Sequence, residues 1–128
     1  MVSPDMISQR PALPKPVRGD VFSARLDPTE GSEQAGTRPV VVVSRDSINA
    51  NSPVVVVVPV TDAANVKRLY PSHAHIAKGL GGLKIDSVAK AEQIRAIQIS
   101  RFVTYHGRLD RDALARIDET IRIALALR

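Results

Sequence analysis

Arg38 stands directly before Pro39, at the entrance to the valine run Val40 to Val43. A guanidinium is permanently charged and planar, can grip two phosphate oxygens at once, and is presented by backbone that the following proline restrains. The competing use of the side chain is a surface ion pair with Glu33. Thr61 follows Val54 to Val58, Pro59 and Val60. Its hydroxyl can donate to a phosphate oxygen from a strand-held position, or it simply ends a strand as a β-branched residue. Lys90, Glu92, Gln93 and Arg95 share one segment, and Lys90 and Glu92 fall on one face if that segment is extended. They are either a carboxylate with cations beside it, suited to moving protons, or a solvated charged strand edge. Ser32, Glu33 and Gln34 offer hydrogen-bonding groups in a loop flanked by Gly31 and Gly36, which give it freedom to move.

Other clusters carry less. His73-Ala74-His75 puts two imidazoles on one strand face without a third ligand nearby, a pattern of surface residues rather than of a metal site, so no metal or other cofactor is expected. His106 has no evident partner. Lys78-Gly79-Leu80-Gly81-Gly82 lacks the strand-to-helix context and the terminal Gly-Lys-Ser or Gly-Lys-Thr of a nucleotide cradle, and reads as a flexible turn.

Composition narrows the possible partners. The chain has two Phe, two Tyr and no Trp, so stacked aromatic platforms cannot dominate a binding surface. Without cysteine there is no disulfide, thiolate zinc site or thiol nucleophile. The net charge of +5 favours polyanionic partners, although the same charge serves solubility. The first ten residues lack the apolar core of a secretory signal, and no run approaches a spanning helix, so a cytoplasmic protein with no membrane partner is expected. A length of 128 residues suits a single core.

Pro4, Pro11, Pro14 and Pro16 predict an extended or mobile tail over residues 1–16, with the folded domain spanning 17–128. Period-two alternation predicts a strand from Val17 to Leu26, then a loop from Asp27 to Thr37. The valine runs predict two buried strands, which need a closed or well-covered sheet to avoid aggregation. Ser44 to Asn51 suits one or two helical turns capped by Ser44 or Asp46. A weaker strand is predicted within Leu69 to Ala77. One or two more fall within Ser87 to Ile97, with Val88, Ile94 and Ile97 inward. Arg111 to Leu127 reads as an amphipathic helix with Asp110 as N-cap and Leu114, Ile117, Ile121, Ala124 and Leu125 as its core stripe. The fold class is mainly β with α: a small, curved antiparallel barrel with a C-terminal helix.

Arg18-Gly19-Asp20-Val21 and the long string Leu26-Asp27-Pro28-Thr29-Glu30-Gly31-Ser32-Glu33-Gln34-Ala35-Gly36-Thr37-Arg38-Pro39-Val40 resemble the MazF/PemK toxin family. Val58-Pro59-Val60-Thr61, Gly82-Leu83, Ser87-Val88 and Glu92-Gln93-Ile94-Arg95 follow in the family's order. The resemblance covers Val17 to Leu127. It implies an SH3-like, CcdB/MazF-like barrel, usually a homodimer, that cuts single-stranded RNA at short motifs without a metal. The family's reaction is attack of the ribose 2′-hydroxyl on the adjacent phosphate, leaving a cyclic phosphate and a 5′-hydroxyl. It also implies an acidic, MazE-like antitoxin, and block of translation as the route to growth arrest.

By the same resemblance Arg38 and Thr61 match catalytic positions. Lys90 and Glu92 stand where some members carry an Arg and an Asp, and are secondary candidates. Ser32, Glu33, Gln34, Gln93 and Arg95 are candidate RNA contacts, with Ser32 replacing a histidine of some relatives. The rival readings are a non-catalytic topoisomerase poison like CcdB and an RNA-binding module that has lost catalysis.

Overall fold

The computed structural model describes residues 12–27, 31 and 36–128. Its strands are β1 (Asp20–Arg25), β2 (Thr37–Val42), β3 (Val54–Asp62), β4 (His73–Ile76), β5 (Ser87–Lys90), β6 (Arg95–Gln98) and β7 (Phe102–Arg108), and its helices are α1 (Asp46–Asn51) and α2 (Arg111–Ala124). Short 3₁₀ turns at Ala63–Asn65, Leu80–Gly82, Ala91–Gln93 and Ile99–Arg101 connect them.

All strands join one antiparallel sheet in the order β4-β5-β3-β2-β1-β7, with β6 also paired to β3. β3 is the hub. It pairs with β2 from Val57 to Pro59, with β6 from Val54 to Val57 and with β5 from Val60 to Asp62. The curved antiparallel sheet with a closing helix is the expected architecture, but no ladder joins β4 to β7 among the described residues, so the sheet does not close.

The valines are covered on both faces instead. One cluster takes Val21, Val41, Val58 and Val60 together with Leu109, Ala113 and Ile117 from the α2 side. The other takes Phe22, Ala24, Val40, Val42, Val55, Val57, Ile97 and Phe102. Phe22 stacks on Phe102 at 4.3 Å and tilts against Tyr105, which commits three of the four aromatics to packing. Leu13 packs on this second cluster and Pro16 is buried, so packed chain begins ahead of Val17.

Several expectations need adjustment. β7 was not foreseen as a strand. α1 starts after Arg45, with no side-chain cap. Ser44 Oγ instead accepts from Val56 N and donates to Asn49, tying the helix to β3, while Asp46 accepts from Arg18 N. Asp110 does cap α2, accepting from Ala113 N at 2.8 Å. The helix ends at Ala124, and its buried line runs through Ala113, Ile117 and Thr120. Leu125 is the C-cap residue and 49% exposed, and Ala126 after it turns into the left-handed region.

Candidate functional site

The site begins with a proline. The β2–β3 ladder stops at Val40 opposite Pro59, and the next pair would set Pro39 against Val60. Val43 donates to the Val56 carbonyl across these strands, so by alternation Val41 and then Pro39 are the β2 residues that should donate to β3. Pro39 has no N–H and cannot, so the strands part there. β3 continues on β5 and β2 continues on β1. The gap is a cavity of about 390 Å³ lined by Thr37, Arg38 and Pro39 from β2 and by Val60, Thr61 and Asp62 from β3. Had the register run on, Arg38 would lie opposite Thr61. The two residues therefore border one cleft.

Its far walls hold residues that pattern reading missed: Ser23, His106 and the segment containing Leu83, Lys84, Ile85 and Ser87. In the β1–β7 ladder Val21 faces Gly107 and Phe22 faces Tyr105, which leaves His106 as the extra residue of a β-bulge. Bulges re-aim side chains. His106 Nε2 lies 2.6 Å from Ser23 Oγ. Burial, followed by the positive charge of Lys84, holds this imidazole below its ordinary value, so its neutral form prevails at neutral pH. No sequence signal marked the pair, which is 83 residues apart.

The turn at Leu80–Gly82 is packed rather than flexible. A Cβ on Gly82 would sit 2.0 Å from the carbonyl oxygen of His106, and one on Gly81 would meet Val21 and Leu109 below 3 Å. Only glycine allows the turn to lie against β7, and that contact sets Leu83 and Lys84 beside the cavity.

Glu92 is not among the residues lining this cavity. Its two oxygens contact Ser72 Oγ at 3.1 Å and His73 Nε2 at 2.9 Å. Tyr70 N donates to His73 Nδ1, which places the ring proton on Nε2, pointing at the carboxylate. Burial raises the Glu92 value, but the hydrogen bonds from His73, its own backbone and Ser72 outweigh burial and lower it overall. The His73 side chain is only 4% exposed, so it is a buried partner of Glu92 rather than the surface residue expected. Among the described residues no cluster of three or more His, Cys, Asp or Glu could hold a metal.

Lys90 ends β5 opposite His73. Gln93 closes the neighbouring turn, and Arg95 on β6 donates to the carbonyl of Leu26 at 3.1 Å. Arg101 donates to the carbonyls of Arg25 and Asp27, so two arginines hold the chain where it enters the segment before Arg38. Ser32, Glu33 and Gln34 lie outside the described residues. A second, polar cavity of about 540 Å³ is lined by Arg25, Asp27, Gly36, Thr37, Gln98, Ser100 and Arg101. Thr37 borders both cavities, so the two adjoin.

Comparisons with known proteins bear on the chain as a whole. The family described as PemK-like, MazF-like toxin of type II toxin-antitoxin system matches residues 17–125. Endoribonuclease MazF9 of Mycobacterium tuberculosis is 39% identical over 115 residues, covering 86% of this chain and 96% of its own length. Endoribonuclease EndoA of Bacillus subtilis is 40% identical over 110 residues, covering 86% and 94%. The crystal structure of MazF from Deinococcus radiodurans superposes with a TM-score of 0.74 at 25% identity, over 88% of this chain and 97% of that one. A mycobacterial endoribonuclease in complex with its cognate antitoxin shares the fold at a TM-score of 0.73 and 21% identity, again over 88% and 97%.

Proposed function

The chain belongs to the PemK-like, MazF-like family of toxins from type II toxin–antitoxin systems, and from that premise we propose how it works as an endoribonuclease. Its substrate is single-stranded RNA. The ribose 2′-hydroxyl attacks the adjacent phosphorus and the P–O5′ bond breaks, leaving a 2′,3′-cyclic phosphate and a 5′-hydroxyl.

The observation that carries this reading is the bordering of one cleft by Arg38 and Thr61. As charge accumulates on the non-bridging oxygens, the Arg38 guanidinium stabilises it with paired hydrogen bonds, and the Thr61 hydroxyl adds a third donor. Positive charge comes from the protein itself in this scheme, so no metal is called for. The adjoining cavity with Arg25 and Arg101 suits a polymer, because a strand held at the cleft must continue across the surface. Lys90, Gln93 and Arg95, with Ser32, Glu33 and Gln34 of the preceding loop, serve the approach and base recognition. Glu92, already committed to Ser72 and His73, supports this region in place.

Cleavage of messenger RNA blocks translation and arrests growth. An acidic antitoxin segment opposes it by occupying the same cationic cleft, and the active form is a homodimer. The test is incubation with mixed-sequence RNA in excess chelator, comparing wild type with Arg38→Ala. We expect chelator-resistant cleavage with 5′-hydroxyl ends, and a loss of at least ~100-fold in the variant, the scale of one preorganised oxyanion contact. Folded wild type that leaves RNA intact would favour a non-catalytic binder.

A further inference from the structure

Attack by a 2′-hydroxyl needs a group to take its proton, and Glu92 is poorly suited, with hydrogen bonds already on both oxygens and a lowered proton affinity. The cleft bordered by Arg38 and Thr61 contains one imidazole, His106.

We propose that His106 is the general base of the reaction and that Ser23 is its positioning residue; this rests on the endoribonuclease reading above. As the O2′–P bond forms and the P–O5′ bond breaks, the imidazole takes the proton from O2′. The departing O5′ takes a proton from water, and the imidazolium returns its own to solvent, so no net proton is gained or lost.

Three features of the fold hold His106 for this task. It is the extra residue of a bulge, so its side chain is free of the ladder's alternation. When Nε2–H donates to Ser23 Oγ, the lone pair of Nδ1 is the acceptor, and Ser23 fixes both tautomer and ring orientation. The backbone of Gly82 lies against the His106 carbonyl so closely that the bulge cannot shift toward it. Electrostatics act in the same direction. The charged groups that share the cavity are Arg38 on β2, Asp62 on β3 and Lys84 before β5. Asp62 already accepts from Ala64 N. Burial and Lys84 both disfavour imidazolium, so His106 holds a proton less readily than an ordinary imidazole.

The experiment is the pH dependence of RNA cleavage by wild type, His106→Gln, Ser23→Ala and Arg38→Ala. Binding of the all-2′-deoxy form of the same oligonucleotide, which cannot be cut, serves as the control. For wild type we expect kcat to fall on acidification through a single limb below the ordinary histidine value. H106Q should lower kcat by ~100-fold or more and abolish that limb, with KM and deoxy-oligonucleotide binding within about threefold of wild type. Ser23→Ala should displace the limb and lower kcat about tenfold. It also carries the test should H106Q fail to fold, since a limb that does not move in Ser23→Ala contradicts the proposal. An H106Q rate within about threefold of wild type, with its acid limb intact, overturns the proposal. If Arg38→Ala still abolishes cleavage in that case, the endoribonuclease reading stands. Wild type that cuts no RNA removes both.

Discussion

At the scale of single residues, Thr61 and Glu92 separate a cleft role from a supporting one. Thr61 is 5% exposed at the end of β3, and valine has nearly its shape without the hydroxyl. Thr61→Val should therefore keep stability within about 1 kcal/mol of wild type and lower kcat by roughly tenfold to a hundredfold, read from denaturant unfolding and single-turnover cleavage. An unchanged rate would take the hydroxyl out of the reaction.

Glu92, through its contacts with Ser72 and His73, carries a prediction about stability. Its folded value is lowered from 4.5, so its contribution is fully present above that value and is lost as pH falls through the folded one. Urea unfolding of wild type and Glu92→Gln should show a gap at pH 7 that narrows as the pH is taken down below the ordinary carboxylate value. A gap that persists in acid would mean that the carboxylate's charge is not what matters.

At the scale of elements, the turn Leu80–Gly82 and the glycine before it make a demanding test, because two glycines with positive φ have different surroundings. Gly79 and Gly82 both have positive φ, at 96° and 75°. A Cβ on Gly79 meets nothing within 4 Å, whereas one on Gly82 meets the His106 carbonyl at 2.0 Å. Gly79→Ala should cost about 1 kcal/mol from the left-handed backbone alone. Gly82→Ala must also push β7 away, and should cost about 3 kcal/mol or more. Equal costs, measured by urea denaturation, would show that the turn does not bear on β7. For α2, Asp110→Ala removes the side chain that accepts from Ala113 N and should cost about 1 kcal/mol.

At the scale of the whole molecule, the net charge of +5 coincides with Arg25, Arg38, Lys84 and Arg101 around two adjoining cavities. If about three phosphates are neutralised there, affinity for uncleavable single-stranded nucleic acid should fall roughly tenfold to twentyfold between about 50 and 200 mM salt. A flat response in a filter-binding titration would place recognition elsewhere. No helix among the described residues is long and apolar enough to cross a membrane, and Ala113, Ile117 and Ile121 of α2 pack on the sheet.

The sequence by itself determined what is local or periodic. Alternation around Phe22, β-branched runs on either side of Ser44 to Ser52, and the three- and four-residue recurrence from Asp110 onward are written in neighbouring residues, so β1, β2, β3 and α2 were legible. Arg38 and Thr61 were legible as a pair through the strings that contain them. Their meeting place has a sequence cause too, since Pro39 removes the donor that would have joined the two strands. Tertiary structure decided everything that depends on register between distant segments. β7 has no strong alternation because bulges interrupt it, and without β7 nothing in the chain pairs His106 with Ser23. The engagement of Glu92 by His73 depends on β4 lying beside β5. The open sheet depends on where the ladders stop. A side chain's chemistry is set by what lies within a few ångströms of it, and for those groups the neighbours are far away along the chain.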